Sequence, residues 1–135
     1  MTMPSRYREL ILNSNDGAMV MTADPDKCLL LYPVEEWLEV EKSIAALPSL
    51  DKQARFLKRL LIGHAYELSM DKNGRLLVPP PLRDFAGIDK QVMLIGQGQK
   101  FEIWNDDHWQ SATEEGVEAY KEKNELIGDL GSLTF

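Results

Sequence analysis

Met70-Asp71-Lys72-Asn73-Gly74-Arg75-Leu76-Leu77-Val78-Pro79-Pro80-Pro81-Leu82-Arg83 is the segment that decides the predicted fold. An alternating segment from His64 leads into Asn73-Gly74, and both turn residues tolerate the positive φ of a two-residue hairpin turn. The three prolines then remove backbone donors, so strand pairing must stop there. Lys72 and Arg75 flank the turn, which predicts two cations held in water at a hairpin tip. Taken alone, the segment is more typical of an ordinary solvated surface turn than of a binding site.

The chain contains one internal repeat. Residues 3–10 resemble residues 78–85 at an offset of 75, residues 19–21 resemble 92–94 at an offset of 73, and residues 29–37 resemble 101–109 at an offset of 72. Each copy contains a proline, a short helical turn with an arginine, a loop and two predicted strands. A predicted helix follows, with acidic residues and a tryptophan at its start. Two copies of one unit predict two pseudo-symmetric halves that share a core.

Hydrophobic periodicity predicts the elements of both copies. The predicted strands are residues 19–22, 29–32, 64–70, 91–95 and 100–104, and helices are predicted after Pro33, Ser49, Pro81 and Asn105. Ser49 is the predicted N-cap of a helix that ends near Gly63, and Asn105 is the predicted cap of the last helix.

The net charge of −7 is unevenly distributed along the 135 residues. Residues 1–101 carry thirteen basic and thirteen acidic side chains, and residues 102–135 carry nine acidic against two basic ones. Residues 52–83 carry seven basic side chains and only two acidic ones, Glu67 and Asp71. An overall acidic composition therefore does not exclude a nucleic-acid surface, but that surface must be local.

No pattern in the chain predicts catalysis. Cys28 lies in an apolar strand and is predicted to be a buried structural thiol, and a single cysteine excludes an intramolecular disulfide. His64 and His108 have no spacing that predicts a zinc site, and Gly96-Gln97-Gly98 lacks the residues of a phosphate-binding loop. We therefore expect no enzyme activity, metal, cofactor or small-molecule substrate. The apolar run at 28–34 is too short for a membrane span, which favours a cytoplasmic protein.

A family resemblance rests on the turn and the repeat together. Asp71-Lys72-Asn73-Gly74-Arg75-Leu76-Leu77-Val78-Pro79, followed by Leu82-Arg83, resembles the Asp-x-x-Gly-Arg-aliphatic-Pro pattern of the AbrB-like (SpoVT-AbrB) swapped-hairpin DNA-binding domains. Its duplication, with Leu29-Leu30-Leu31-Tyr32-Pro33 in one half and Phe101-Glu102-Ile103-Trp104 in the other, closely resembles the MraZ family of bacterial transcriptional regulators. The resemblance covers nearly the whole chain up to about Trp109.

The resemblance implies an α+β fold made of two pseudo-symmetric AbrB-like halves of the swapped-hairpin β-barrel type, with flanking helices. Residues 1–62 would form the first, N-terminally incomplete half, and residues 63–124 the second half with a C-terminal helix. Residues 125–135 are expected to form a frayed tail.

The same resemblance implies a function and its partners. The chain is expected to assemble with itself into a ring-shaped homo-oligomer in the cytoplasm, associated with the nucleoid. It would bind double-stranded DNA at repeated promoter sites of the division and cell-wall gene cluster. The alternative is an oligomeric scaffold in cell division that binds no DNA and uses its acidic C-terminal quarter for partners.

The implied DNA-binding residues are Asp71, Lys72, Asn73, Gly74 and Arg75. Lys72 would contact phosphate, and Arg75 would contact phosphate or a guanine edge. Asp71 would accept hydrogen bonds from the turn or orient Arg75, and Gly74 would permit the backbone bend.

The first half departs from the family pattern. The family carries an Asp-x-x-x-Arg motif in each half, whereas here Met1–Pro4 already corresponds to Leu76–Pro79, so the chain looks N-terminally shortened. The strand next to the missing one is then expected to be an unpaired edge. The repeat also pairs Arg8 with Arg83, and both are expected to be helix-capping or interface residues.

Overall fold

The computed structural model describes residues 1–12 and 17–123, which form an α+β fold with one antiparallel sheet. The helices and strands in chain order are α1 (Ser5–Leu12), β1 (Ala18–Ala23), β2 (Leu29–Pro33), α2 (Val34–Ala45), α3 (Lys52–Leu57), β3 (Tyr66–Ser69), α4 (Pro80–Ala86), β4 (Val92–Gly96), β5 (Phe101–Asn105) and α5 (Asp106–Lys123). A single π-helical turn, Lys58–Ile62, continues α3. The five strands lie in the order β3-β1-β2-β5-β4.

Both hairpins have the register that the repeat offsets give. Val20 pairs with Tyr32 in the β1–β2 hairpin, and Met93 pairs with Trp104 in the β4–β5 hairpin. Tyr32 and Trp104 are 72 residues apart, and Val20 and Met93 are 73 apart, as in the sequence comparison. The same residues of each copy therefore face each other within their hairpin.

The two hairpins join at the centre of the sheet. Residues 29–31 of β2 pair antiparallel with residues 101–103 of β5, and Leu30 faces Glu102. The offset of 72 makes Leu30 and Glu102 equivalent positions of the two copies. The pairing between β2 and β5 is therefore symmetric about this pair, with each residue of one copy facing a residue of the other. Residues from both copies thus form one continuous sheet rather than two separate ones.

The sheet is covered on both faces because its central strands are apolar at consecutive positions. One face and the helices against it form the larger core, which includes Met3, Ile11, Met19, Met21, Leu29, Leu31, Met70, Leu76, Val78, Leu82 and Ile103. The other face forms a smaller core of Val20, Leu30, Tyr32, Trp37 and Leu61. Alternate side chains of β1 and β2 enter opposite cores, as the two-residue period of a strand requires.

The helix after Pro48 ends at Gly63 as predicted, but its N-cap differs from the prediction. Asp51, not Ser49, is the N-cap, and its carboxylate accepts hydrogen bonds from the amides of Gln53 and Ala54. The Ser49 hydroxyl instead accepts a hydrogen bond from Lys58 Nζ at 3.3 Å. At the other end the helix widens into the π-helical turn, where the buried Thr22 hydroxyl donates to the carbonyl of Leu61.

The remaining predicted elements agree with the structure to within a few residues. The strand predicted at 64–70 is shorter, because His64 lies in the preceding turn with its Nδ1 2.8 Å from the carbonyl oxygen of Leu60. Asn105 is the last residue of β5, and its Nδ2 donates to the carbonyl of Gly87. The frayed tail predicted at 125–135 lies outside the described residues.

Two compact units divide the chain, one of residues Met1–Asn105 and one that begins at Asp106. The second unit contains α5, which has Asp106 and Asp107 in its first turn. Acidic side chains there interact favourably with the positive end of the helix dipole. Among the described helices, none is long and apolar enough to cross a bilayer.

Candidate nucleic-acid interface

The turn between β3 and the following extended segment is a three-residue loop closed by its own backbone. The Gly74 amide donates to the Asp71 carbonyl and the Asp71 amide donates to the Arg75 carbonyl, both at 3.0 Å. Gly74 has a φ of 77°, whereas Asn73 is not among the described residues with positive φ. The predicted two-residue Asn-Gly turn is therefore wrong. The loop has a left-handed residue only at Gly74, as in three-residue hairpin loops.

The Asp71 carboxylate explains this choice of turn. Its Oδ1 accepts the backbone amides of Asn73 at 2.8 Å and Arg75 at 2.9 Å. An aspartate that accepts amides two and four residues later stabilises the loop from within. Asp71 was predicted either to accept hydrogen bonds from the turn or to orient Arg75. The structure shows the first role, because the carboxylate accepts a hydrogen bond from the backbone amide of Arg75.

The first three residues of the chain pair with the segment after the turn. The Met3 amide donates to the Gly74 carbonyl at 2.6 Å, and the Leu76 amide donates to the Met1 carbonyl at 2.7 Å. Thr2 faces Arg75 in this antiparallel bridge. The backbone on both sides of the turn is therefore held by residues 71 to 75 positions away in sequence.

Arg8 lies directly beneath the turn. Its Nη2 donates to the Met3 carbonyl at 3.1 Å, and its guanidinium packs against the backbone of Gly74. The Nε is buried and has no hydrogen-bond acceptor among the residues the structure describes. Arg8 thus joins the segment before α1 to the turn. Its repeat equivalent, Arg83, is exposed on α4.

The tip of the turn presents its polar side chains to solvent. Asp71, Lys72, Asn73 and Arg75 are exposed, and Gly74 alone is buried. Within residues 1–12 and 17–123, no carboxylate lies within 4.0 Å of the side-chain nitrogens of Lys72 or Arg75. Both cations are consequently available to an anion from outside the chain. The assignment of these five residues to DNA stays a prediction.

Sequence reasoning missed the support of the turn. The repeat aligned Met1–Pro4 with Leu76–Pro79 and singled out Arg8, but it did not indicate that equivalent segments pair with each other. Nor did it indicate that Arg8 packs against Gly74. Both contacts join positions far apart in sequence, so no local pattern reports them.

The reactive side chains of the described residues do not form a catalytic arrangement. Cys28 is fully buried next to β2, which confirms its predicted burial. Burial, and then the negative charges of Asp24 and Glu102, raise the pKa of its thiol, so the reactive thiolate is disfavoured. No group of three His, Cys, Asp or Glu side chains in the described part of the chain could hold a metal ion.

Known proteins resemble this chain along most of its length. Residues 61–127 match the family model described as "MraZ protein, putative antitoxin-like". A protein from Thioalkalivibrio sulfidiphilus named Transcriptional regulator MraZ is 49% identical over 134 residues, which are 99% of this chain and 89% of the relative.

Two further relatives carry the same name. The one from Halorhodospira halophila is 51% identical over 96% of this chain and 87% of its own length. The one from Pseudomonas aeruginosa is 42% identical over 98% of this chain and 89% of its own length. The similarity therefore includes β1, β2 and the helices as well as the turn.

Proposed function

Because this chain belongs to the MraZ family of transcriptional regulators, which are not enzymes, we propose that it regulates transcription by binding DNA through the Asp71–Arg75 turn. The proposed partner is double-stranded DNA at repeated promoter sites of the division and cell-wall gene cluster. The proposed place of action is the cytoplasm, at the nucleoid.

The exposure of Lys72 and Arg75 on a braced turn is the observation that supports this proposal. Asp71 fixes the loop from within, and Arg8 and the Met1–Met3 segment hold it from below. A fixed turn loses little backbone entropy when it binds, so more of the electrostatic interaction appears as affinity. Two uncompensated cations suit a polyanion better than a neutral or acidic surface.

The two cations have different parts in the proposed complex. The ammonium of Lys72 is a compact point charge and suits a phosphate oxygen. The planar guanidinium of Arg75 can donate two parallel hydrogen bonds, either to a phosphate or to the O6 and N7 of a guanine. Arg75 therefore carries any direct base recognition, while Lys72 contributes affinity that is independent of sequence.

The proposed assembly is a ring-shaped homo-oligomer whose subunits each consist of two AbrB-like halves. The strand registers support the duplication, because β2 and β5 pair at the equivalent residues Leu30 and Glu102. A ring would present several turns to a series of DNA repeats, and linked weak sites bind far more tightly than single ones.

Salt-dependent DNA affinity tests the proposal. We would measure fluorescence anisotropy of a promoter fragment with repeats, at several salt concentrations, for the parent chain and for Lys72→Ala, Arg75→Ala and Lys42→Ala. Lys42 is an exposed lysine on α2, outside the basic stretch 52–83, and serves as the matched control. Loss of one phosphate contact lowers the slope of log affinity against log salt by about 1. An unchanged slope and affinity for both turn variants would remove the turn from the DNA site.

The alternative is an oligomeric scaffold that binds no DNA. The acidic side chains of residues 102–123 favour it, because they suit a basic protein partner better than a nucleic acid. Sedimentation beside the DNA titration separates the two functions. A chain that sediments as an oligomer and shows no salt-dependent affinity for repeat-containing DNA would support the scaffold.

A further inference from the structure

The inward side of α2 carries a glutamate at a position where its pattern otherwise has apolar residues. Val34, Trp37, Glu41 and Ile44 recur at helical spacing, so they share one side of the helix. Trp37 is buried in the smaller core, and Val34 and Ile44 pack against that core. Glu41 is half-buried. The helix therefore holds a carboxylate beside an apolar core.

β3 carries a second inward glutamate. Glu67 pairs with Val20 of β1, and residues directly opposite each other in an antiparallel pair project from the same face of the sheet. Val20 belongs to the smaller core, so Glu67 lies on the face that this core covers. An inward charge on an edge strand also discourages pairing with a further strand. That purpose would account for Glu67 but not for Glu41, which lies on a helix.

A cavity of about 300 Å³ brings the two glutamates together. Its lining residues come from α2, β1, β3, the end of the π-helical turn and the turn that follows it. Beside Glu41 and Glu67, the six other lining residues are all apolar: Val20, Val34, Trp37, Leu38, Ile62 and Ala65. A concave, mostly apolar surface with a few convergent polar groups is the usual form of a small-ligand site.

Neither carboxylate of the cavity has a cationic partner in the described part of the chain. Within residues 1–12 and 17–123, no lysine or arginine nitrogen lies within 4.0 Å of Glu41 or Glu67. Trp37 Nε1 donates to Glu41 Oε2 at 3.2 Å, which orients that carboxylate and leaves its other oxygen without a donor among these residues. Two negative charges that line one cavity repel each other, and a cation between them replaces this repulsion by attraction.

We propose that this cavity binds a small aliphatic amine with two ammonium groups. Each ammonium pairs with one of the two carboxylates, and the methylene chain between them contacts the apolar lining. Alkylammonium groups keep their charge at neutral pH, because their ordinary pKa is about 10. A metal ion would leave the apolar lining without a contact, and a single basic side chain would compensate only one of the two charges.

Calorimetric titration of the full chain with 1,4-diaminobutane tests the proposal. We expect saturable binding of one molecule per chain. The matched uncharged probe is 1,4-butanediol, which has nearly the same length and should bind far more weakly. NMR titration should shift the amides of residues 34–41 and 65–67, which line or adjoin the cavity. Comparable binding of the diol, or no binding of the diamine, would overturn the proposal.

Variants of the chain locate the binding. Glu41→Gln and Glu67→Gln should each weaken diamine binding about tenfold or more, because each removes one charge-assisted pair. Glutamine at position 41 keeps an acceptor for Trp37 Nε1, so α2 should be retained. Ala65→Leu fills part of the cavity without a change of charge and should also weaken binding. Glu39→Gln, exposed on α2 and outside the cavity lining, should bind like the parent chain.

Three results would contradict the proposal. Equal affinity of the parent chain and both glutamine variants of the cavity would show that the amine binds elsewhere on the acidic surface. Amide shifts confined to α5 would place it on the acidic C-terminal helix. Protection of residues 34–41 that rises with protein concentration, without any amine, would assign the cavity to a second copy of the chain. None of these measurements uses DNA, so they fail or succeed independently of the proposed function.

Discussion

Arg8 and Gly74 are packed so closely that a β-carbon on Gly74 would overlap the Nε of Arg8. The glycine is also in the left-handed region, with a φ of 77°. The left-handed conformation favours glycine at this position of the turn, and a β-carbon there would also have to displace the Arg8 side chain. The contact joins the two copies of the repeat, because Arg8 belongs to the first and Gly74 to the second.

Gly74→Ala should destabilise the chain more than Gly98→Ala. Both glycines have a positive φ, 77° and 81°, so both substitutions cost about 1–2 kcal/mol for the left-handed conformation. A β-carbon at Gly98 meets nothing within 4 Å, whereas one at Gly74 must displace Arg8. We expect the Gly74 variant to lose about 1 kcal/mol or more beyond the Gly98 variant, from overpacking. Urea unfolding of both measures the difference.

Arg8→Ala provides the control for that comparison. If the extra cost comes from the overlap, Gly74→Ala should be less damaging in the Arg8→Ala background, with a coupling free energy of about 0.5–3 kcal/mol. Strictly additive effects would show that Arg8 does not limit the turn.

Asp71→Ala and Asp71→Asn should have different effects on the turn. Alanine removes the acceptor of the Asn73 and Arg75 amides, and we expect a loss of about 1 kcal/mol in unfolding free energy. Asparagine keeps a side-chain oxygen at the same place and should lose less. Thermal or urea unfolding of the pair measures this. Equal losses would indicate that the carboxylate charge, and not its position as an acceptor, stabilises the loop.

Thr22→Val should destabilise the junction between β1 and the π-helical turn. Thr22 is fully buried, and its hydroxyl donates to the Leu61 carbonyl. Valine has nearly the same shape but leaves that buried acceptor without its donor, at a cost of about 1–3 kcal/mol. Thr22→Ser keeps the hydroxyl and loses only a methyl group, about 0.8 kcal/mol. Denaturant unfolding should rank valine as the more harmful change, and the opposite order would mean that packing dominates at this site.

Ionisation of the Cys28 thiol should lower the free energy of unfolding at alkaline pH. Burial, Asp24 and Glu102 raise the pKa of its thiol above the value in the unfolded chain. The unfolded state then loses its proton first, so the unfolding free energy falls by about 1.4 kcal/mol per pH unit above about 8.5. The stabilisation is fully present below that pH.

Comparison with Cys28→Ala isolates this contribution. The parent chain should lose stability between pH 8.5 and 10 more steeply than the alanine variant, as followed by urea unfolding at each pH. Parallel pH profiles would show that the thiol ionises equally in both states. Thiol labelling of the native parent chain should also be slow, because the side chain is fully buried.

The sequence by itself determined the strands, most helices and their equivalence. Alternating and repeated apolar residues predicted all five strands, and the offsets of 72 and 73 reappear in the registers of both hairpins. These are local or periodic properties, so neighbouring residues suffice to report them. The same patterns identified Asp71–Arg75 as an exposed turn with two cations.

Only the tertiary structure decided how the turn is built and supported. Asn-Gly predicts a two-residue turn, yet the Asp71 carboxylate selects a three-residue loop, and Arg8 and Met1–Met3 hold it from 66 to 75 residues away in sequence. The structure alone also shows that β1 and β4, alike in sequence, differ in pairing, because β3 covers one and not the other. The physical reason is common to both: long-range backbone pairing depends on which segments meet in space, and sequence periodicity determines only the face each residue presents.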